Sequence, residues 1–235
     1  MTAQPNVRPV PLEVEPAGIP DELKRLDRWL CWKYELRGGK WTKPPLSARG
    51  GYGSSTDAAT WSSFDKAYQA YVSRGLSGIG LALDGTGDLV GVDLDHTDDP
   101  AEILSLGTYA ERSPSGGGYR AIGYAVIPSG ANKRKGHVEI YGTERYLTIT
   151  GHRLRSAPET IERCDEPLRA MLLAHGMITS ASPWDVAASL TARDDDPVAR
   201  LLSIKQGKWA ALYDGDWQSY GYPSRSEGVF ALLCE

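Results

Sequence analysis

The sequence predicts an α+β domain, with a mixed, largely antiparallel sheet flanked by helices and a small helical region after it. Apolar residues recur at helical spacing over residues 63–74, which indicates an amphipathic helix. Short apolar runs separated by glycine, proline or charged turns indicate strands. These runs cover residues 78–83, 89–94, 119–127, 137–141 and 145–150.

The first part of the chain is rich in proline. Five of the fifteen prolines fall within residues 1–20, so residues 1–18 are predicted to form a flexible tail. Folding is expected to begin near Ile19, with a short helix over residues 21–26. An aromatic-rich strand is predicted over residues 29–36, and residues 41–43 would return beside it.

The helix at residues 63–74 has predicted ends as well. Ser62 and Asp65 have the spacing of a capping box, and Gly75 stands where a helix-ending glycine is expected. The next two apolar runs are separated only by residues 84–88, a turn-forming sequence. We therefore predict that they form a β-hairpin at the centre of the sheet.

The domain is predicted to extend over residues 19–176, with a final helix at 166–175 that ends before a glycine. Small and polar residues dominate residues 177–196, which indicates a linker. Residues 197–235 would begin the small helical region. The apolar stripe at the end of the sequence is incomplete, so a longer protein is expected.

Composition excludes several classes of protein. The formal net charge is −4, so any nucleic-acid binding must be local. The three cysteines are far apart and form no CxxC pair, which argues against a disulfide framework or a zinc ribbon. No 18-residue apolar run and no signal sequence are predicted, so a cytoplasmic protein is expected.

A pair of acidic residues in the second of the two adjacent strands is the clearest chemical signal. Side chains alternate along a strand, so Asp93 and Asp95 face one side while Val92 and Leu94 face the other. Two such carboxylates can bind divalent cations, and oxygen ligands favour Mg²⁺ or Mn²⁺. The alternative interpretation is an acidic strand end that enters a turn.

A third carboxylate would complete such a site. Glu139 lies between two β-branched residues of a predicted strand and so points away from the core layer. With Asp93 and Asp95 it would form a three-carboxylate metal site. Taken alone, it is a typical solvent-exposed glutamate of a strand.

A glycine-rich loop and a basic turn lie around these acids in the sequence. Ser113, Ser115 and Arg120 flank three glycines and could bind a triphosphate, although such a loop is also typical of a flexible hairpin. Residues 84–102 contain seven acids and no Lys or Arg, whereas residues 112–155 contain eight Lys or Arg and two acids. The basic turn could hold a nucleic-acid backbone or simply be solvated; it consists of Lys133, Arg134 and Lys135.

Taken together, these motifs resemble those of the archaeo-eukaryotic primase superfamily, in particular phage and prophage primase-polymerase domains. The resemblance covers about residues 19–175. It rests on eight motifs in the family's order: WLCWK, WTKPP, SSTD with Trp61, GIG, VDLDH, SPSG, VEIY and RYLTITGH.

The resemblance implies functions for several residues. Asp93, Asp95 and Glu139 would hold the catalytic metals. The triphosphate would contact Ser113, Ser115 and nearby basic side chains. Further nucleotide contacts would come from Lys43, Arg120, Arg145 and, beneath the sugar, Tyr146.

Two features depart from the family pattern. Arg120 aligns with a position that is usually histidine, and the segment between His96 and Thr108 is short. An arginine can bind phosphate but cannot act as a neutral acceptor.

The sequence therefore predicts template-directed nucleotidyl transfer with Mg²⁺ or Mn²⁺. Its partners would be a single-stranded DNA template, a primer and dNTP or NTP, with a helicase domain following in the full-length chain. A catalytically weakened binding module and a metal-dependent nuclease are the alternatives.

Overall fold

The computed structural model describes residues 7–128 and 130–179, and it confirms the predicted α+β class. The strands are β1 (Trp29–Trp32), β2 (Glu35–Arg37), β3 (Lys40–Thr42), β4 (Pro45–Leu46), β5 (Gly78–Asp84), β6 (Leu89–Asp95), β7 (Tyr109–Arg112), β8 (Gly118–Tyr124), β9 (Arg134–Lys135), β10 (Val138–Tyr141) and β11 (Thr143–Ile149). The α-helices are α1 (Asp21–Lys24), α2 (Phe64–Ser73), α3 (Ala101–Leu104) and α4 (Asp165–Ala174).

The strands form two main sheets and a separate hairpin. The first sheet has the order β11-β5-β1-β4 and the second has the order β7-β8-β6-β10-β9, while β2 pairs only with β3. All pairings between these strands are antiparallel. The strand predicted over residues 29–36 is thus two strands, because the chain leaves the first sheet after Trp32.

The predicted hairpin between the two adjacent apolar runs is wrong. β5 pairs with β1 and β11 in the first sheet, whereas β6 pairs with β8 and β10 in the second. Each strand thus has its own partners on both edges, and both strands are almost entirely buried. The turn composition between them therefore connects two sheets instead of closing a hairpin.

Close packing at one glycine brings the two sheets together. A β-carbon on Gly91 of β6 would lie 1.8 Å from Cδ1 of Leu147 on β11. Any larger residue would thus collide with the first sheet, because protein interiors are packed without spare volume. Gly91 allows the strand that carries the acids to approach β11.

Each main sheet is covered by a helix predicted from the sequence. On the first sheet, α2 packs Phe64 and Ala67 against Trp29 in one apolar cluster. On the second, α4 packs Leu168 and Leu172 in a cluster with the apolar residues of β6 and β10. The segment between His96 and Thr108, which is short compared with the family pattern, contains only the single-turn α3.

The capping box predicted for α2 is wrong, although the helix and its terminal Gly75 are as expected. Ser63 is the N-cap and its side chain makes no capping hydrogen bond. Ser62 is buried, and its hydroxyl donates to the backbone oxygen of Trp29. Ser62 therefore joins the helix entry to β1.

The segment predicted as a flexible tail packs on the domain where the structure describes it. The backbone N–H of Leu12 donates to Pro114, and that of Glu15 donates to Thr150. Val14 is buried in the same cluster as the first sheet. Within residues 7–128 and 130–179, no helix is long and apolar enough to cross a membrane.

The predicted linker and helical region stay predictions. Apart from residues 177–179, they lie outside the described residues.

Candidate active site

Three acidic side chains converge on one face of the second sheet. Glu139 of β10 lies directly opposite Asp93 of β6, and Asp95 is two positions further along the same strand. Directly opposed residues of antiparallel strands project from the same face, as do residues two apart along a strand. The convergence predicted from the sequence is therefore present.

The electrostatic state of Asp95 fits a site that can accept cations. Burial and repulsion from Asp93 raise the pKa of this carboxyl, with a smaller contribution of the same sign from Glu139. A positive charge placed between the acids would remove this repulsion.

Asp93 is held by an arginine from the neighbouring strand. Arg120 of β8 lies opposite Asp93, and its Nη2 is 3.0 Å from Oδ2. Nη1 of the same guanidinium donates to the backbone oxygen of Thr148 on β11 at 2.9 Å. Arg120 is buried, and through these two contacts it connects Asp93 to the first sheet.

The other oxygen of Asp93 is buried and unpaired. Among the described residues, no hydrogen-bond partner lies near Oδ1. A buried carboxylate oxygen without a donor is costly unless a ligand satisfies it. A divalent cation bound by the three carboxylates fits this atom, because hard oxygens are the ligands of Mg²⁺ and Mn²⁺.

Glu139 has a different set of partners. Tyr141 donates its hydroxyl to this carboxylate at 2.6 Å, and Nη1 of Arg134 lies 3.0 Å from it. Nη2 of Arg145 lies at 3.7 Å. Both arginine side chains are more than half exposed, at 66% and 52%, so water screens these pairs and the side chains can leave.

A cleft of about 320 Å³ opens beside the acids. Its lining comes from distant parts of the chain and includes six of the predicted site residues: Lys43, Asp93, Arg120, Glu139, Arg145 and Tyr146. The acids and Arg120 belong to the second sheet, while Tyr146 belongs to β11 of the first. The cleft thus lies where the two sheets meet.

Lys43 enters the cleft from the segment between β3 and β4. Its Nζ lies 5.8 Å from the centre of the Trp32 ring and 6.0 Å from that of Tyr34. Burial, with the charge of Arg120 as the second cause, lowers the pKa of Lys43 to about 8, although Asp93 acts in the opposite direction. An anionic ligand would favour the charged amine.

This lowered pKa predicts unusual chemical reactivity for Lys43. At pH 8 the Lys43 amine should be uncharged in about half of the molecules, whereas the amine of an unperturbed lysine is uncharged in less than about 1%. Brief treatment with an amine-acylating reagent, followed by peptide mass spectrometry, should show labelling of Lys43 that levels off above about pH 9. A lysine peptide in the same tube serves as the reference. Labelling of Lys43 that rises in parallel with the reference up to pH 10 would contradict the prediction.

Tyr146 forms one wall of the cleft. Its hydroxyl donates to the backbone oxygen of Lys43, which fixes the ring. A β-carbon on Gly80 of β5 would lie 2.8 Å from the ring atom Cδ2, so the glycine provides the space the ring occupies. The aromatic face is therefore held in place by the first sheet.

The predicted phosphate loop lies at the edge of this arrangement. Gly118, which follows the loop, pairs with Asp95, but neither Ser113 nor Ser115 is among the residues that line the cleft. The two hydroxyls lie 3.3 Å apart, and Ser113 is buried. Their contact with a triphosphate stays a prediction.

The predicted basic turn lies on the outer strand β9 and the residue before it. Arg134 pairs with Glu139, as described above, and Lys135 donates to the backbone oxygen of Gly176. Lys133 is exposed. The role of this turn in nucleic-acid binding stays a prediction.

Comparison with known proteins agrees with this geometry. The chain is 29% identical to the DNA primase-polymerase of Nitratiruptor phage NrS-1 over an alignment of 215 residues, and this alignment covers 84% of this chain. This similarity supports a relationship to phage-type primase-polymerases. The chain spans only 29% of the length of that relative. No protein-family model matches this chain.

One buried acid, which lies just before the SPSG motif, was not predicted from the sequence. Glu111 of β7 accepts a hydrogen bond from the hydroxyl of Tyr109 at 2.7 Å. It also accepts hydrogen bonds from the backbone N–H groups of Thr150 and Gly151. Burial raises its pKa. Glu111 fixes the chain just after β11, which carries Tyr146. The available signal was the pair of residues that precede Glu111 in β7, Tyr109 and Ala110, because a charged residue in a buried strand needs partners.

Proposed function

We propose that this chain is the catalytic domain of a template-directed DNA primase-polymerase. A primer 3′-hydroxyl, or an initiating nucleotide, would attack the α-phosphate of an incoming triphosphate, and pyrophosphate would leave. The observation that carries the proposal is the meeting of Asp93, Asp95 and Glu139 on one face of the second sheet, where Asp93 and Glu139 line the cleft. The similarity to a phage DNA primase-polymerase supports it.

Asp93, Asp95 and Glu139 would hold the divalent cations, Mg²⁺ or Mn²⁺. When bound, such ions stabilise the attacking and leaving oxygens of phosphoryl transfer. The unpaired Oδ1 of Asp93 and the raised pKa of Asp95 both favour this use of the carboxylates.

The basic residues of the cleft would bind the triphosphate. Lys43 is half-buried and would become fully charged beside the phosphates. Arg145 is exposed, and its guanidinium stacks 4.4 Å from the ring centre of Tyr141, within reach of an incoming anion. Arg120 would act mainly through Asp93, because its hydrogen bonds already go to that carboxylate and to Thr148.

Tyr146 would pack beneath the sugar of the incoming nucleotide. We expect Tyr146→Ala to reduce discrimination between ribo- and deoxynucleotides by about tenfold, or about 1.4 kcal/mol, because the ring would screen the 2′ position of the sugar. Tyr146→Phe is the matched control because it keeps the ring and removes only the hydroxyl. Competition between labelled NTP and dNTP in primer extension measures the effect. Equal discrimination by all three proteins would reject this role.

Primer extension on a template with a single-stranded 5′ overhang tests the function. The expected result is metal-dependent elongation by the nucleotide that matches the template, and none after EDTA treatment. Salt-sensitive binding of the DNA without elongation would overturn the proposal and indicate a binding module. The ion pair between Arg120 and Asp93 is the observation that favours this alternative. Shortening of the strands would indicate a nuclease.

The partners follow from the same proposal. They are a single-stranded DNA template, a primer and dNTP or NTP, with a helicase region elsewhere in the full-length protein.

A further inference from the structure

A second cluster of potential metal ligands lies away from the cleft. It consists of Glu102 in α3, His137 in the turn before β10, and His175 at the end of α4. Their ligand atoms all lie within 4.8 Å of one another. None of the three lines the cleft that holds Asp93 and Glu139.

The two histidines approach the same carboxylate from different sides. Nε2 of His137 lies 3.5 Å from one oxygen of Glu102, and Nε2 of His175 contacts the other oxygen. The ring centres are 5.4 Å apart with an interplanar angle of 81°. The ring planes are therefore nearly perpendicular, and both Nε2 atoms face the Glu102 carboxylate.

The donor set differs from that of the proposed catalytic site. Two imidazole nitrogens and one carboxylate oxygen are typical ligands of Zn²⁺, which often takes three protein ligands and a water. Three carboxylates suit Mg²⁺ or Mn²⁺ instead. Tetrahedral coordination at about 2.0–2.1 Å places ligand atoms about 3.4 Å apart. The observed separations are close to this value, since none of them exceeds 4.8 Å and that between His137 and Glu102 is 3.5 Å.

We propose that Glu102, His137 and His175 form a transition-metal site that takes Zn²⁺ in preference to Mg²⁺. A metal there would fasten α3, α4 and the turn before β10 to one another. All three side chains are partly or largely solvent-exposed, so an ion has access from outside.

The site would also act on the strand that carries the proposed catalytic acids. The backbone oxygen of His137 accepts the N–H of Asp95 at 2.9 Å. A metal ligand at His137 would thus restrain the end of the ladder between β6 and β10, where Asp93 and Glu139 face each other. We infer that zinc stabilises the geometry of this face from its outer end.

Zinc titration of the purified full chain tests the proposal. After EDTA treatment and dialysis, calorimetry and competition with a chromophoric chelator should show one Zn²⁺ per chain. The affinity should fall at least about tenfold in His137→Ala, His175→Ala and Glu102→Gln. A hundredfold excess of Zn²⁺ over the wild-type Kd should raise the Tm of the wild type by about 5 °C, and the Tm of the variants by about half as much or less.

Two controls identify the site. His152→Ala removes a histidine that pairs with a single glutamate, Glu15, and should leave zinc binding intact. Asp93→Asn should also leave it intact, which excludes binding at the three carboxylates. Co²⁺ should give the visible absorption of a tetrahedral complex in the wild type, and this signal should disappear in His137→Ala.

Two outcomes would overturn the proposal. One is no zinc binding at micromolar concentration, which would leave the cluster as a hydrogen-bonded group of side chains. The other is equal affinity in the wild type, His137→Ala and Glu102→Gln, with circular dichroism showing that all three are folded. Because no nucleotide is needed, the result is independent of polymerase activity.

Discussion

Replacement of Asp93 or Asp95 by asparagine is expected to reduce metal-dependent nucleotide addition at least about 10³-fold. Asparagine keeps the size of the side chain but removes the negative charge that holds the cation. The two residues lie on the same face of β6, with Glu139 opposite Asp93, so each would supply a ligand to the same cation site. Single-turnover primer extension in saturating Mn²⁺ measures the loss.

Asp98→Asn is the matched control for this experiment. Asp98 is an exposed aspartate three positions after Asp95 and does not line the cleft. Its variant should extend primers at the wild-type rate. Binding of the primer–template, measured by fluorescence anisotropy, should change little in all three variants. Extension by Asp93→Asn and Asp95→Asn within tenfold of the wild-type rate would refute the proposed use of these carboxylates.

Arg120→Met is expected to lower the free energy of unfolding by about 3–5 kcal/mol, because it leaves a buried carboxylate without its partner. The side chains of Arg120 and Asp93 are only 7% and 13% exposed. The variant also loses the hydrogen bond from Arg120 to Thr148, which connects the two sheets. Urea unfolding followed by tryptophan fluorescence measures the change.

Arg134→Met is the matched control, since Arg134 also pairs with a carboxylate but is mostly exposed. Its cost should stay below about 1 kcal/mol. Asp93→Asn combined with Arg120→Met should recover part of the lost stability, as expected for a coupled pair. Equal costs for the two arginine variants, or strict additivity in the double variant, would contradict the interpretation of Arg120 as a buried structural partner of Asp93.

The α+β class, α2, α4 and most strands could be predicted because each depends on a local pattern. The spacing of Phe64, Ala67 and Tyr71 indicates a helix without reference to the rest of the chain. The alternation around Asp93 also settles which side chains share a face. These local rules placed Asp93 and Asp95 on one face of β6, whereas their meeting with Glu139 of β10 was expected from the family resemblance.

The pairing of β5 with β1 and β11 could not be predicted, because strand partners are set by packing between distant segments. The same holds for Ser62, whose hydroxyl is used by β1 instead of by the helix. Glu111 and the cluster of Glu102, His137 and His175 depend on contacts between residues dozens of positions apart. Sequence spacing can indicate that a buried charged residue needs partners, but it does not show which residues those partners are.

The contact between Gly91 and Leu147 has a consequence for substrate choice. The carboxylates belong to one layer and the Tyr146 ring to the other, so the gap between them depends on how far apart the layers lie. Leu147 packs against Gly91 and is itself among the residues that line the cleft. If the cleft binds a nucleotide as proposed, a change in the volume of either residue would alter the width available to it. Selectivity would then depend on the packing between the two layers as well as on the residues that contact the nucleotide.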